Sequence, residues 1–195
     1  DKLGLRGPFG HGWPLQEVSG CDVVLVTGGL GCAPVVSVIH YLMRRRERYG
    51  KLVIIQGVKH AEDLIWREQY DRWAKLPDTQ VLVAASEGAA FWPWHVGRVT
   101  DLFGLANFDP ECAVAMMCGP EGMMHAAADS LLARDLPESR LFLSMERNMQ
   151  CAVGRALTSC IRRRPRHAAG AATAPFLLPP STRAVRRMRG CGGHR

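Results

Sequence analysis

Between residues 22 and 145, short runs rich in β-branched and other apolar residues alternate with stretches of helical patterning, and this alternation restricts the fold more than any other feature of the chain. Strand-helix-strand units build parallel sheets, because a parallel neighbour is reached only by a crossover long enough to hold a helix. Five strands are expected: Asp22 to Val26, Leu52 to Gln56, Gln80 to Ala85, Ala113 to Cys118 and Arg140 to Ser144. Each is too apolar along its length to leave a face in water, so helices are required on both sides. The patterning predicts helices over Pro34 to Arg46, Ala61 to Lys75 and Pro120 to Arg134, with a shorter fourth from about Val96 to Phe103. Pro34 suits a first helical turn, where its missing N–H is not needed. The expected architecture is α/β: a doubly wound five-stranded parallel sheet with helices on both faces, followed by a disordered tail.

The tail is set apart by composition. Nine of the 25 basic residues, all Arg, lie in residues 156 to 195, which contain no Lys, Asp or Glu. The preceding body therefore holds 16 basic against 18 acidic residues and is slightly acidic. Ala, Arg, Pro and Gly dominate the tail, no periodicity is visible, and Pro179-Pro180 would interrupt a helix. No apolar run reaches the ~18 residues needed to cross a bilayer. The seven Cys are odd in number and lack the spacing of a disulfide framework, which fits a reducing cytoplasm. The opening Asp1-Lys2-Leu3-Gly4-Leu5-Arg6 has no initiating Met, carries no signal-peptide pattern and reads as the middle of a longer protein.

Two glycine-containing turns are the candidate sites. Thr27-Gly28-Gly29-Leu30-Gly31-Cys32-Ala33-Pro34 lies directly after the first strand and before the first helix. There, glycines let the backbone approach a pyrophosphate, and free N–H groups with the helix dipole favour its charge. The third glycine of the dinucleotide fingerprint is absent and Pro34 stands nearby, so a tight turn without a ligand is the competing reading. Met116-Met117-Cys118-Gly119-Pro120-Glu121-Gly122 repeats the arrangement at the fourth strand. In a doubly wound sheet these two loops would share one crevice, with the Cys118 thiol facing it; the alternative is a cysteine buried as a small hydrophobe.

Together with Gly97-Arg98-Val99-Thr100-Asp101-Leu102, in this order and spacing, these motifs resemble the pyridine-nucleotide domain of ferredoxin-NADP reductase relatives. Leu5-Arg6-Gly7-Pro8-Phe9-Gly10 resembles the closing strand of the flavin-binding barrel that precedes that domain. Ser144-Met145-Glu146-Arg147-Asn148-Met149-Gln150-Cys151-Ala152-Val153-Gly154 is similar to the segment leading into the iron-sulfur site of one branch. That branch comprises the electron-transfer subunits of B-type dihydroorotate dehydrogenase and of anaerobic sulfite reductase, together with the gamma subunits of NiFe hydrogenases. The resemblance covers about residues 3 to 155. It implies a barrel remnant at 1–15, an NAD(P)-binding domain at 16–150 and an aberrant basic tail at 151–195. It implies hydride transfer between NAD(H) or NADP(H) and FAD, and onward electron transfer through a 2Fe-2S cluster to a catalytic partner subunit. By the same resemblance Gly28, Gly29 and Gly31, with Ala33 and Pro34, approach the pyrophosphate and Thr27 assists by hydrogen bonding. Cys118, Gly119, Pro120 and Glu121 border the nicotinamide, with Cys118 nearest the chemistry.

The sequence departs from the family in two places. Only the last strand of the barrel is represented, so FAD is expected to bind weakly or not at all. The cluster pattern Cys-x4-Cys-x2-Cys survives only at Cys151, because Ala156 and Ser159 stand where thiolates are required. A reading-frame shift in GC-rich DNA would produce such a tail. A nucleic-acid or membrane-surface binder acting through Arg162-Arg163-Arg164-Pro165-Arg166 is the competing reading, but only Phe176 offers an aromatic for base stacking, and no nucleic-acid partner is expected. A zinc site from Cys151, Cys160, His167, Cys191 and His194 lacks the short Cys-x2-Cys spacing. After the third strand, NADPH-selective relatives tend to carry Ser-Arg, whereas this chain has Ser86-Glu87. A carboxylate there repels a 2′-phosphate and accepts a ribose hydroxyl, which favours NADH; an ordinary solvated charge is the alternative. A non-redox nucleotide-binding or regulatory module on the same fold remains the second functional reading.

Overall fold

The protein is described by a computed structural model that covers Gly4, residues 12–145 and residues 159–161. Chain order is β1 (Val23–Gly28), α1 (Cys32–Met43), β2 (Leu52–His60), α2 (Arg67–Trp73), β3 (Thr79–Glu87), β4 (His95–Val96), β5 (Val114–Cys118), α3 (Glu121–Leu132), β6 (Leu141–Met145) and β7 (Ser159–Ile161). The strands form one sheet in the order β4-β3-β2-β1-β5-β6-β7. The first six are mutually parallel, and β7 runs antiparallel to β6.

All five expected strands are present, so the doubly wound parallel architecture holds, and the count of five is corrected by β4 and β7. At two residues, β4 is too short for an alternation pattern to show. Ser159–Ile161 falls within the segment expected to be disordered and instead pairs with Leu143, Ser144 and Met145. Residues 146–158 and 162–195, including Cys151 and the Arg-rich run, lie outside the described residues, as do residues 5–11.

Strand periodicity divides the interior into two cores. On β1, Val24 and Val26 face the side covered by α3, and Val23 and Leu25 face the side covered by α1 and α2. Val53 and Ile55 of β2 join the first side, while Leu52 and Ile54 join the second. The helices answer in kind. Val35, Val38, Ile39 and Leu42 of α1 recur at helical spacing and are all buried, as are Met124, Ala127, Ala128 and Leu131 of α3. Burying each large aliphatic side chain contributes about 1.5–3 kcal/mol, which accounts for the apolar run of β1 being buried at every residue.

Two expected helices are replaced. The segment 61–75 is not one helix: a 3-10 turn over Ala61–Asp63 is followed by Trp66 at φ 58°, and α2 begins only at Arg67. The apolar residues there have mixed spacing because only Tyr70 and Trp73 lie on the buried face of α2, while Leu64 reaches the core from the turn. The segment from 96 to 103 holds the end of β4 and then a 3-10 helix over Val99–Leu105. Val99, Leu102 and Phe103 are its buried residues. Val99 and Leu102 are three apart and lie on one line in a helix of three residues per turn.

At the N-terminal edge of the sheet, Asp22 clasps three segments. Its carboxylate accepts from Lys51 N at 2.6 Å and from Asp109 N at 2.9 Å, joining the starts of β1 and β2 to the loop before β5. Replacing Asp22 by Ala removes both bonds and is expected to lower unfolding free energy by about 1–3 kcal/mol. Urea denaturation measures this, and an unchanged midpoint would show that water replaces the carboxylate at no cost. Among the described residues, no helix is long and apolar enough to cross a membrane.

Candidate functional site

The first half of the parallel sheet grows outward from β1 through β2 and β3, and the second half grows the other way through β5 and β6. The C-terminal ends of β1 and β5 therefore flank the point where the winding reverses, the place where open α/β sheets bind ligands. The strand register sets Thr27 directly beside Cys118, so both glycine turns leave the sheet at the same level.

The two turns touch. Gly119 Cα is so close to the first turn that a Cβ there would lie 2.9 Å from Gly28 N and 2.8 Å from the Met123 methyl. A Cβ on Gly31 would collide with the Cys118 carbonyl, lying 2.7 Å from its carbon and 2.9 Å from Gly119 N. Gly28 meets Met123 Sδ and Pro120 in the same way. Gly29 differs: it adopts φ 52°, and a Cβ there would meet nothing within 4 Å. Gly28 and Gly31 thus allow the turns to pack together, whereas Gly29 supplies a left-handed bend that opens onto space. Leu30 is exposed beside it, and Ala33 and Pro34 are exposed in the first turn of α1. An open glycine bend at the start of a twelve-residue helix fits a pyrophosphate.

Thr27 is buried, with its hydroxyl bonded to Gln56 Oε1 and 3.3 Å from Ile55 O. Gln56, which sequence reasoning did not single out, is 1% exposed. Its Nε2 donates to Gly29 O at 3.2 Å and to Gly57 O at 3.0 Å, while its Oε1 accepts from Tyr70 Oη at 3.2 Å. One amide therefore anchors the glycine bend, β1 and α2 together. Its only sequence signal is a lone polar residue closing the apolar run Leu52-Val53-Ile54-Ile55. Burial pushes the Tyr70 phenol well above its ordinary value, reinforced by the neighbouring Cys32, and burial also raises the Cys32 thiol. Both groups keep their protons through the neutral range.

Cys118 is half-buried at the end of β5 and packs against the core on the α1 side. Gly119 is half-buried, and Pro120 and Glu121 are exposed at the start of α3. Glu121 pairs with His125 one turn later at 3.5 Å. Glu87 ends β3, two strands from the glycine turns on the same edge of the sheet, and meets His60 at 3.2 Å. Beyond β3, Trp92 and Trp94 pack edge to face at 5.0 Å with the Arg67 guanidinium 5.0 Å from the Trp94 ring. Phe91 is 96% exposed, and its carbonyl accepts from Arg67 at 3.3 Å. The structure thus brings Thr27, Gly28, Gly29 and Gly31 together with Cys118, Gly119 and Pro120, and places Glu87 apart on the same rim. Cys151 lies outside the described residues. Among those described, no three His, Cys, Asp or Glu residues gather as a metal site.

An open parallel sheet with two interlocked glycine turns at its switch point defines a dinucleotide-binding domain. A family model described as "Oxidoreductase NAD-binding domain" matches residues 25–129, more than half of the chain, and the protein belongs to that family, within the ferredoxin-NADP reductase-like group. The sulfhydrogenase 2 gamma subunit of Pyrococcus furiosus is 32% identical over 168 residues, covering 80% of this chain and 58% of the relative. The electron transfer subunit of dihydroorotate dehydrogenase B (NAD(+)) from Bacillus caldolyticus is 31% identical over 163 residues, covering 83% and 56%. The structure of the Amycolatopsis cytochrome P450 reductase GcoB superposes with a TM-score of 0.58 at 26% identity, over 72% of this chain and 41% of that one. The chain spans about half the length of the curated relatives it matches.

Proposed function

We propose that this chain is the NADH-binding half of a flavin-dependent electron-transfer oxidoreductase that serves a catalytic partner subunit of hydrogenase, sulfite reductase or dihydroorotate dehydrogenase type. The observation that carries the reading is the interlocking of the Gly28–Gly31 and Cys118–Gly119 turns at the β1/β5 switch point. Gly29 and the first turn of α1 hold the pyrophosphate through backbone N–H groups and the helix dipole. Cys118 and Gly119, one strand across, border the nicotinamide. Glu87, two strands the other way, accepts a ribose hydroxyl and repels a 2′-phosphate. In such oxidoreductases the bound nicotinamide supplies a hydride to the flavin.

This chain's own contribution is position. The Gln56 amide fixes the Gly29 carbonyl and with it the direction of the bend. The half-buried Cys118 packs against the core on the α1 side, which fixes its position at the rim of the proposed crevice. Residues 16–150 are the proposed nucleotide domain, and the expected barrel strand within 1–15 falls, apart from Gly4 and residues 12–15, outside the described residues. The resemblance points to FAD, which members of the family hold mostly through residues of the barrel. The residues present do not fit a 2Fe-2S cluster, since Ala156 and Ser159 offer a methyl and a hydroxyl where thiolates are needed.

Calorimetric titration of the full chain with NADH and with NADPH tests the proposal. Saturable NADH binding at micromolar to millimolar affinity, several-fold tighter than NADPH, is expected. A folded protein that binds neither nucleotide would refute the reading.

A further inference from the structure

Any ligand lying across the sheet edge from the glycine turns at β1 to Glu87 on β3 must pass the end of β2, and the residue there is His60. The β2/β3 register pairs His60 directly with Glu87, and His60 Nδ1 lies 3.2 Å from Glu87 Oε2. An ionised carboxylate only accepts, so the imidazole is the donor in this contact, and the His60 side chain in turn accepts the Asp63 backbone N–H in the turn that ends β2. The two side chains are 38% and 62% exposed, open enough for a ligand to reach. The His60 backbone is itself pinned, with its N–H donating to Asp63 Oδ2 at 3.1 Å across the turn that ends β2. The span from β1 to β3 is two strand spacings, roughly 10 Å, a distance bridged by the adenosine diphosphate half of a dinucleotide.

We propose that His60 is a positioning residue for nucleotide choice, holding the Glu87 carboxylate at the rim so that it accepts from the ribose diol of NADH and stays in the path of a 2′-phosphate. This rests on the NADH-binding reading above. A solitary glutamate at a strand end would sample several rotamers and could turn away from a phosphate. Tethered by the imidazole, it keeps one oxygen engaged while the carboxylate retains acceptor capacity for the ligand. The tether thus sharpens both sides of the discrimination, tightening NADH and excluding NADPH.

The test uses the full chain and titrates NADH and NADPH into wild type, His60→Leu, His60→Gln, Glu87→Gln and the double variant His60→Leu/Glu87→Gln. His60→Leu is expected to weaken NADH binding about three- to tenfold, the net worth of one ordinary solvent-exposed hydrogen bond, with NADPH affinity unchanged or improved. His60→Gln keeps an N–H donor and should retain most of the preference. In the Glu87→Gln background His60→Leu should add little, because the group it positions is gone. A folded His60→Leu protein with wild-type preference, or full additivity in the double variant, overturns the inference while leaving NADH binding intact. A wild-type chain that binds neither nucleotide overturns the NADH reading and the inference with it.

Discussion

Gly31→Val is expected to lose at least tenfold in NADH affinity, and to unfold at lower denaturant than wild type. The added side chain would not meet the pliable end of another side chain. It would meet backbone, with the Cys118 carbonyl carbon at 2.7 Å and Gly119 N at 2.9 Å from the new Cβ. Both atoms belong to the second turn, which is held by the β1/β5 ladder and by the start of α3, so relief requires the two turns to separate. Overpacking of this kind costs about 1–3 kcal/mol or more, and the separation moves Cys118 away from the Gly29 bend. Gly122→Ala supplies the contrast, since a Cβ there meets nothing within 4 Å and the residue lies in the first turn of α3. It should bind NADH as wild type does and gain up to about 1 kcal/mol in stability. Calorimetry with both variants, after circular dichroism has confirmed their folding, decides the matter. Wild-type affinity in a folded Gly31→Val protein would mean that the close approach of the turns is not required for binding.

The second large effect is expected from Gln56→Leu. Leucine fits the apolar surroundings of β2 in size, yet it leaves the Thr27 and Tyr70 hydroxyls without their shared acceptor and the Gly29 and Gly57 carbonyls without a donor. The Thr27 hydroxyl keeps Ile55 O as an acceptor at 3.3 Å, while each buried group left stranded costs about 1–3 kcal/mol. Allowing for partial relaxation, a loss of about 2–4 kcal/mol in urea unfolding is expected. Tyr70→Phe removes only one spoke of the network and should cost about 1 kcal/mol. Since burial raises Tyr70 above its ordinary value of 10.0, its phenol donates at all pH values below that point, and its contribution fades only as pH climbs through the alkaline range beyond. The difference between Gln56→Leu and wild type should accordingly be the same at about pH 6 and about pH 8. A difference that changes markedly between them would show that another titrating group governs the site. Because Gln56 holds the Gly29 carbonyl, the same variant should weaken NADH binding as well.

The elements and the chemistry of the turns are local properties, and the sequence displays them. Val23-Val24-Leu25-Val26 is apolar without a break because both faces of β1 are covered. Glycines followed by Pro34 or preceding Pro120 mark strand-to-helix turns because only certain residues tolerate the required backbone. Local pattern misled where long-range contacts outweighed it. Residues 61–75 contain good helix formers, but β2 extends four residues beyond Gln56 to pair with β3, and helix α2 could start only after the turn that ends it. His40, His60, His95 and His125 show no partner in the sequence. In the fold they meet Trp73, Glu87, Asp101 and Glu121 respectively. Only His125 has its partner within one helical turn, and it was the one most open to discovery by spacing.

What the sequence determined alone was a chain of strands, glycine turns and amphipathic helices, with an ordered set of motifs that names the family. What only the tertiary structure decided was which ends of those strands lie side by side. The order β3-β2-β1-β5 sets Gly31 against Cys118, Thr27 against Gln56 and His60 against Glu87, pairs separated by 87, 29 and 27 positions in the chain. The physical reason is that register and strand order follow from burying two apolar faces at once. That condition is met by the whole sheet and its helices together and by no segment of it alone.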